Sequence, residues 1–249
     1  IISLMYHRFE ENKYPSTNIK IDDFKKQLNL IRESKIKFIS YKDFENYIKI
    51  KNLERKVLLT IDDGFSSFYE NAWPILKKDK IPFIIFINTE TVGARGYMNW
   101  DQIKEISKFD FVHIGNHSHS HGYLVDKSDE EIERDLITAK EIMNEKLNYN
   151  TKFFAYPYGE YKNSYKKIVQ SLGFSFAFGQ HSGVIDQTKN KFELPRFPIN
   201  EKYGELKRFK SIINYFPLEY KKLLPEEKQL FENTNPPKFK VEFFKEQKN

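Results

Sequence analysis

Apolar positions along the chain fall into short runs separated by longer, mixed segments. The runs IISLMY, IKFIS, KVLLTI, PFIIFI, FVHIGN, KFFAYP, FSFAFG and LPRFPI are rich in β-branched and aromatic residues and read as strands. Between most of them the apolar spacing is helical, and residues 22–34, 41–50, 67–80, 128–147 and 164–173 are predicted helices. Ser128 with Glu131 three residues later has the pattern of a capping box, and Gly173 stands where a left-handed cap is expected. Strand–helix alternation implies a parallel sheet. About seven or eight such units favour a closed, distorted (β/α)7–8 barrel of the α/β class over an open doubly wound sheet, with chemistry gathered at the C-terminal ends of the strands.

Residues 1–215 are expected to form this barrel. From Phe216 the texture changes, and Pro236-Pro237 precedes an alternating run. Residues 216–249 are therefore expected to be a C-terminal helical extension and linker, leading into the start of a second module. No run approaches the roughly 18 apolar residues of a membrane span. The chain begins IISLMYHRF, with neither an initiator Met nor a basic-then-apolar leader, and so reads as a piece whose address segment lies elsewhere.

Composition narrows the chemistry. With no cysteine, disulfides, thiolate catalysis and sulfur-bound zinc are excluded. The net charge of +6 comes from lysines spread along the whole length, which fits solvated helix faces and not a nucleic-acid-binding arm. A mild attraction to anionic polymers or cell surfaces is compatible with it.

Polar residues recur where the strand runs stop: His7, Asp62 and Asp63, His117, Tyr156 and Tyr158, His181, and Arg196 within LPRFPI. The doublet Asp62-Asp63 is the most demanding of these, because two neighbouring carboxylates stay ionised in a dry pocket only when a cation holds at least one. HSHSH, at 117–121, offers imidazoles for a divalent ion, and one carboxylate with two histidines leaves positions open for water, as in catalytic sites. An extended chain would aim 117, 119 and 121 to one side, whereas a helical turn would align only 117 with 121, so the spacing leaves both sets open.

TIDDG (60–64), HSHSH (117–121) and FAYPYG (154–159), in this order, resemble the motifs of the polysaccharide deacetylases of the NodB-homology type, carbohydrate esterase family 4. LMYHRF near the start is similar to the branch that acts on poly-N-acetylglucosamine, and the resemblance covers roughly residues 1–200. It implies a hydrolase that removes N-acetyl groups from an acetylated amino-sugar polysaccharide or oligosaccharide, located outside the cytoplasm. In that reading Asp62 is the general base, Asp63, His117 and His121 hold one divalent metal ion, and His119 is not a ligand. Zinc is the default ion, with cobalt, nickel, manganese or iron able to use the same ligands. The backbone N–H of Tyr158, after Pro157, is the expected oxyanion donor, and Tyr156 and Pro157 are expected to line the substrate. Apart from the resemblance, the glycines and aromatics of VGARGYMNW (92–100) suit a substrate-lining loop, with Trp100 or Tyr97 stacking on sugar. A turn followed by a helix beginning NWDQIKEI is the plainer reading for Trp100.

The chain departs from the pattern twice. Ala155 stands where many members carry an arginine that steadies the base, and Arg196 is the candidate to supply that guanidinium. The late Leu-any-His motif that provides the general acid is absent, leaving His181 and His7 as candidates. Competing readings are an O-acetyl esterase or other amide hydrolase on the same barrel, and a carbohydrate-binding barrel without turnover.

Overall fold

A computed structural model describes residues 1–50, 54–218, 222–224 and 239–243. In chain order the elements up to residue 215 are β1 (Ile2–Tyr6), β2 (Arg8–Phe9), β3 (Asn18–Ile19), α1 (Ile21–Glu33), β4 (Lys37–Phe38), α2 (Tyr41–Tyr47), β5 (Lys56–Ile61), a π-helical turn (Phe68–Ala72) leading into α3 (Trp73–Asp79), β6 (Phe83–Ile87), α4 (Trp100–Ser107), β7 (Val112–Asn116), α5 (Asp129–Leu147), β8 (Phe153–Ala155), α6 (Asn163–Ser171), β9 (Phe176–Phe178), β10 (Phe197–Pro198) and α7 (Leu206–Ile212).

The main sheet runs β10-β1-β5-β6-β7-β8-β9, with β4 also on β5, and every pairing in it is parallel. Leu194 bridges to Phe178 of β9, and Phe197, three residues on, pairs with Leu4 of β1. The segment Leu194–Pro198 thus joins the two ends of the sheet, giving the distorted β/α barrel and not an open sheet. Its strand β10 is only Phe197–Pro198, and Pro195, three residues before Pro198, has no N–H to donate to a ladder.

The strands are buried on both faces, which is why they read as unbroken apolar runs. Val57, Leu59 and Ile61 share one cluster with Phe24 and Leu28 of α1 and Leu76 of α3. Leu58, Ile84, Phe86, Phe153 and Phe178 share another with Phe44 of α2, whose ring meets Phe153 and Phe176 edge-on. Truncating Phe44 to alanine would cost about 3–5 kcal/mol. Thr60 and Asp62 continue the face that Leu58 begins, so strand alternation already turns Asp62 inward.

Capping follows the sequence at Ser128, whose side chain and Glu131 form the reciprocal box, and Gly173 has φ +85°. The single helix predicted over 67–80 is instead a π turn running into α3. Pro74 has no N–H for the carbonyl one turn back, and the ladder shifts there. No helix among the described residues is long and apolar enough to cross a membrane.

Residues 216–249 form a separate compact unit, in which β11 (Lys222–Leu224) pairs antiparallel with β12 (Lys240–Glu242). The rest of the extension expected there lies outside the described residues.

Candidate metal centre and cleft

Register sets the rim of the site. Tyr6 is opposite Ile61 and Ile87 opposite Asn116, so His7, Asp62 and His117 leave their strands at one level. Hydrogen bonds from Asp62 N to Tyr6 O and from His117 N to Ile87 O, both 2.9 Å, carry the pairing one residue further.

Asp62 is fully buried and faces Arg196, which is also fully buried. Nη1 donates to Oδ1 at 2.6 Å and Nη2 to Oδ2 at 2.7 Å, while Nε donates to the Gly179 carbonyl and Nη1 also reaches Thr60 Oγ1. Burial pushes the Asp62 carboxyl up, but the positive charge of Arg196 and its hydrogen bonds outweigh it and hold the group below the usual carboxylate range.

Asp63 takes the opposite direction because its φ is +73°, and Gly64 follows at φ +74°. The backbone favours glycine there, and a Cβ, 2.6 Å from Ile87 Cδ1, would have to displace the end of that side chain. Asp63 Oδ1 lies 3.1 Å from His121 Nε2 and 3.4 Å from His117 Nε2, yet it is a buried oxygen without a hydrogen bond.

HSHSH is neither strand nor helix. Ser118 (φ +69°) and His121 (φ +51°) are left-handed, and between them His119 turns away to Thr89, Nδ1 lying 2.8 Å from Oγ1. His117 Nδ1 is 2.7 Å from the Ala155 carbonyl, an acceptor only, so that nitrogen carries the proton and Nε2 presents a lone pair. His121 is placed by its own N–H on Ser118 Oγ and by ring contacts with His117 and Tyr158.

The ligand atoms of Asp63, His117 and His121 all lie within 4.8 Å of one another. About 3.4 Å separates ligands around a tetrahedral ion bound at ~2.1 Å, close to the two shorter separations here. An orphaned carboxylate oxygen between two imidazole nitrogens, one with a fixed tautomer, fits a divalent cation, and these donors suit zinc or its neighbours. His119 is not in this cluster.

A cleft of about 370 Å³ opens on this centre, lined by Asp63, His121, His7, Tyr158, Asn200 and Tyr203 among others. His7 is partly buried, its Nε2 4.0 Å from Asp62 Oδ2. His181 is exposed, with its ring toward Tyr161, and is not among the residues that line the cleft. Tyr158 is half exposed, left-handed at φ +58°, and packs on His121 and Tyr123.

Two expected substrate-lining residues, Tyr156 and Trp100, do not line the cleft. Tyr156 is fully buried, its hydroxyl donating to the Phe192 carbonyl and its ring among Phe154, Tyr161 and Tyr165. Trp100, partly buried, opens α4 after the Asn99 cap and packs against the main core cluster. Pro157 is buried at the turn that projects Tyr158 outward and does not line the cleft. Asp135 of α5 escaped the sequence reading. Its carboxylate accepts the N–H groups of His119 (2.7 Å) and Ser120 (3.0 Å), and its position beside Ile132 and Leu136 on the inward face of α5 was the available signal.

In sequence and fold the chain is similar to known proteins. The model of the family described as polysaccharide deacetylase matches residues 49–177. The poly-beta-1,6-N-acetyl-D-glucosamine N-deacetylase of Staphylococcus aureus is 26% identical over 213 residues, covering 80% of this chain and 73% of its own. IcaB from Ammonifex degensii superposes with a TM-score of 0.78 at 26% identity, covering 86% of this chain and 97% of that one. The deacetylase PplD of Streptococcus pyogenes, at 22% identity and a TM-score of 0.77 over 86% of this chain and 98% of its own, shares the fold.

Proposed function

The chain belongs to the polysaccharide deacetylase family, and from that premise we propose that it is a metal-dependent hydrolase removing N-acetyl groups from a β-1,6-linked N-acetylglucosamine polymer. The observation that carries this reading is the Asp63–His117–His121 cluster beside an Asp62 clamped by Arg196, at the head of one cleft. The substrate class rests on the similarity to the S. aureus enzyme of that name.

Asp63, His117 and His121 hold the ion, which when bound polarises the amide carbonyl and makes water a stronger acid. Asp62, kept ionised by Arg196, accepts the proton of the attacking water as its oxygen bonds to the carbonyl carbon. The backbone N–H of Tyr158 donates to the oxyanion so formed. Cleavage of the C–N bond then needs a proton on the departing amine, and His7, lining the cleft 4.0 Å from Asp62 Oδ2, delivers it. Burial lowers the His7 pKa below the ordinary histidine value despite Asp63 and Asp62, so the resting ring is neutral at pH 7. The proton it delivers is thus one acquired during turnover, by way of Asp62. Acetate and a free amine leave, and the ring of Tyr158 supports the sugar.

The test is acetate release from β-1,6-N-acetylglucosamine oligomers after chelation and after return of zinc, cobalt, nickel, manganese or iron, with Asp62→Asn as control. Release that needs the metal and Asp62 is expected. Release from acetylxylan alone would move the reaction to O-acetyl esters, and no release with any ion would leave a sugar-binding barrel.

A further inference from the structure

Of the three residues that face one another at the centre, two are fixed by the sheet. Asp63 stands two residues past the end of β5 with its carbonyl accepting from Asn88 Nδ2, and His117 follows β7 with its ring pinned on the Ala155 carbonyl. His121 has no such support. It ends a loop that is left-handed at Ser118 and again at its own position, a conformation that L-residues adopt at a cost. The two peptides between these residues carry the N–H groups of His119 and Ser120, and both donate to Asp135.

We propose that Asp135 is a positioning residue that sets the affinity of the centre for its cation by holding His121 in place. The inference rests on the metal reading above and deepens it, naming a residue that touches neither ion nor substrate. A carboxylate on the inward face of α5, next to Ile132 and Leu136, would be costly unless fully engaged. Its two oxygens each take one N–H, at 2.7 and 3.0 Å, in charge-assisted bonds stronger than those between neutral groups. α5 is well anchored, capped at Ser128 and buried through Ile132, Leu136, Ala139 and Met143. Asp135 therefore ties a strained loop to a rigid helix at the midpoint of the strain. Thr89 holds the His119 ring and Ser118 Oγ accepts the His121 N–H, but both contacts lie within or beside the loop and neither reaches the helix layer.

Asparagine at this position keeps the size but turns an NH2 group toward one of the two N–H donors, so one arm of the clamp becomes a repulsion. Ser118 and His119 keep their bonds to Asn116, Thr89 and Glu90, but the Ser120–His121 end of the loop can then relax, and the His121 ring moves while His117 stays on Ala155.

The experiment uses the whole chain and zinc alone, with affinity read by competition against a chromogenic chelator and the histidine rings followed by NMR in the metal-free protein. Wild type is expected to bind one zinc. Asp135→Asn should bind it about tenfold or more weakly, with the His121 ring resonances shifted and those of His117 unmoved. Asp135→Glu, which keeps the carboxylate, should return the affinity close to wild type, and Glu133→Gln on the exposed side of the same helix should change nothing. Asp135→Ser, which places no amide against the loop, carries the same comparison should the asparagine variant fail to melt cooperatively. Wild-type affinity in Asp135→Asn, or equal shifts of both rings, would overturn the clamp while leaving the metal reading intact. Failure of the wild type to bind zinc or any of the other ions would remove both.

Discussion

Arg196 and Asp62 meet with both side chains fully buried, each guanidinium arm on its own carboxylate oxygen. They are 134 residues apart in the chain. Removing one member of such a pair leaves an uncompensated buried charge, which costs about 3–5 kcal/mol. Arg196→Met is therefore expected to lower the unfolding free energy by about that amount at pH 7, measured by urea denaturation. With the guanidinium gone, burial dominates and the Asp62 pKa rises, so the acid limb of the kcat/KM profile moves to higher pH and turnover falls about 100-fold. Arg196→Lys keeps the charge but not the paired geometry and should fall between. An unchanged profile in Arg196→Met would remove Arg196 from the mechanism.

The two candidate acids separate by position. His7→Asn should reduce kcat about 100-fold or more, with KM little altered. His181→Asn should leave both constants near wild type, because the side chain is exposed and outside the cleft lining. The reverse order of effects in steady-state acetate-release kinetics would transfer the role to His181.

The tyrosines either side of Pro157 should respond to different assays. Tyr156→Phe removes the hydrogen bond to the Phe192 carbonyl and should cost about 1 kcal/mol in stability with unchanged kinetics. Tyr158→Ala removes a half-exposed ring from the cleft and should raise KM for oligomers without lowering the melting temperature. A KM effect from Tyr156→Phe would contradict its placement in the core.

His113 makes the fold sensitive to acid. It lies in β7 against Tyr149 and Thr151, and burial lowers its pKa from 6.5 to about 3. Between those values the unfolded chain binds a proton that the folded chain refuses, so stability falls as pH drops from about 6.5 towards 3, by up to about 1.4 kcal/mol per pH unit. In His113→Gln this part of the slope should vanish, as measured by denaturant unfolding at several pH values in that window. Equal slopes in the two proteins would show that the folded ring is protonated.

Much of the site was legible because strand alternation and strand ends are written in the sequence. Leu58, Thr60 and Asp62 share a face by simple period, and the register of parallel strands brings His7, Asp62 and His117 to one rim. What was not legible depended on backbone turns and long-range closure. Alternation would put Tyr156 and Tyr158 on the same side, but the turn at Pro157 and the left-handed Tyr158 send one inward and one outward. The choice among the three histidines of HSHSH was open for the same reason, since positive φ at Ser118 and His121 belongs to neither a strand nor a helix. The partner of Asp62 could be proposed as a residue type at a strand end, whereas its contact exists only once the sheet is joined. Asp135 was hidden among Asp129, Glu130, Glu131 and Glu133, where acidity looks like a solvated helix start.

The segment that stitches β9 to β1 also carries Arg196. During synthesis from the N-terminus, the aspartates and histidines emerge well before residue 196, so a nascent chain can display all three ligands while its base carboxylate has no counter-charge. The counter-charge on Asp62 thus arrives together with barrel closure, and a chain released before that last stitch would carry its aspartates and histidines without it.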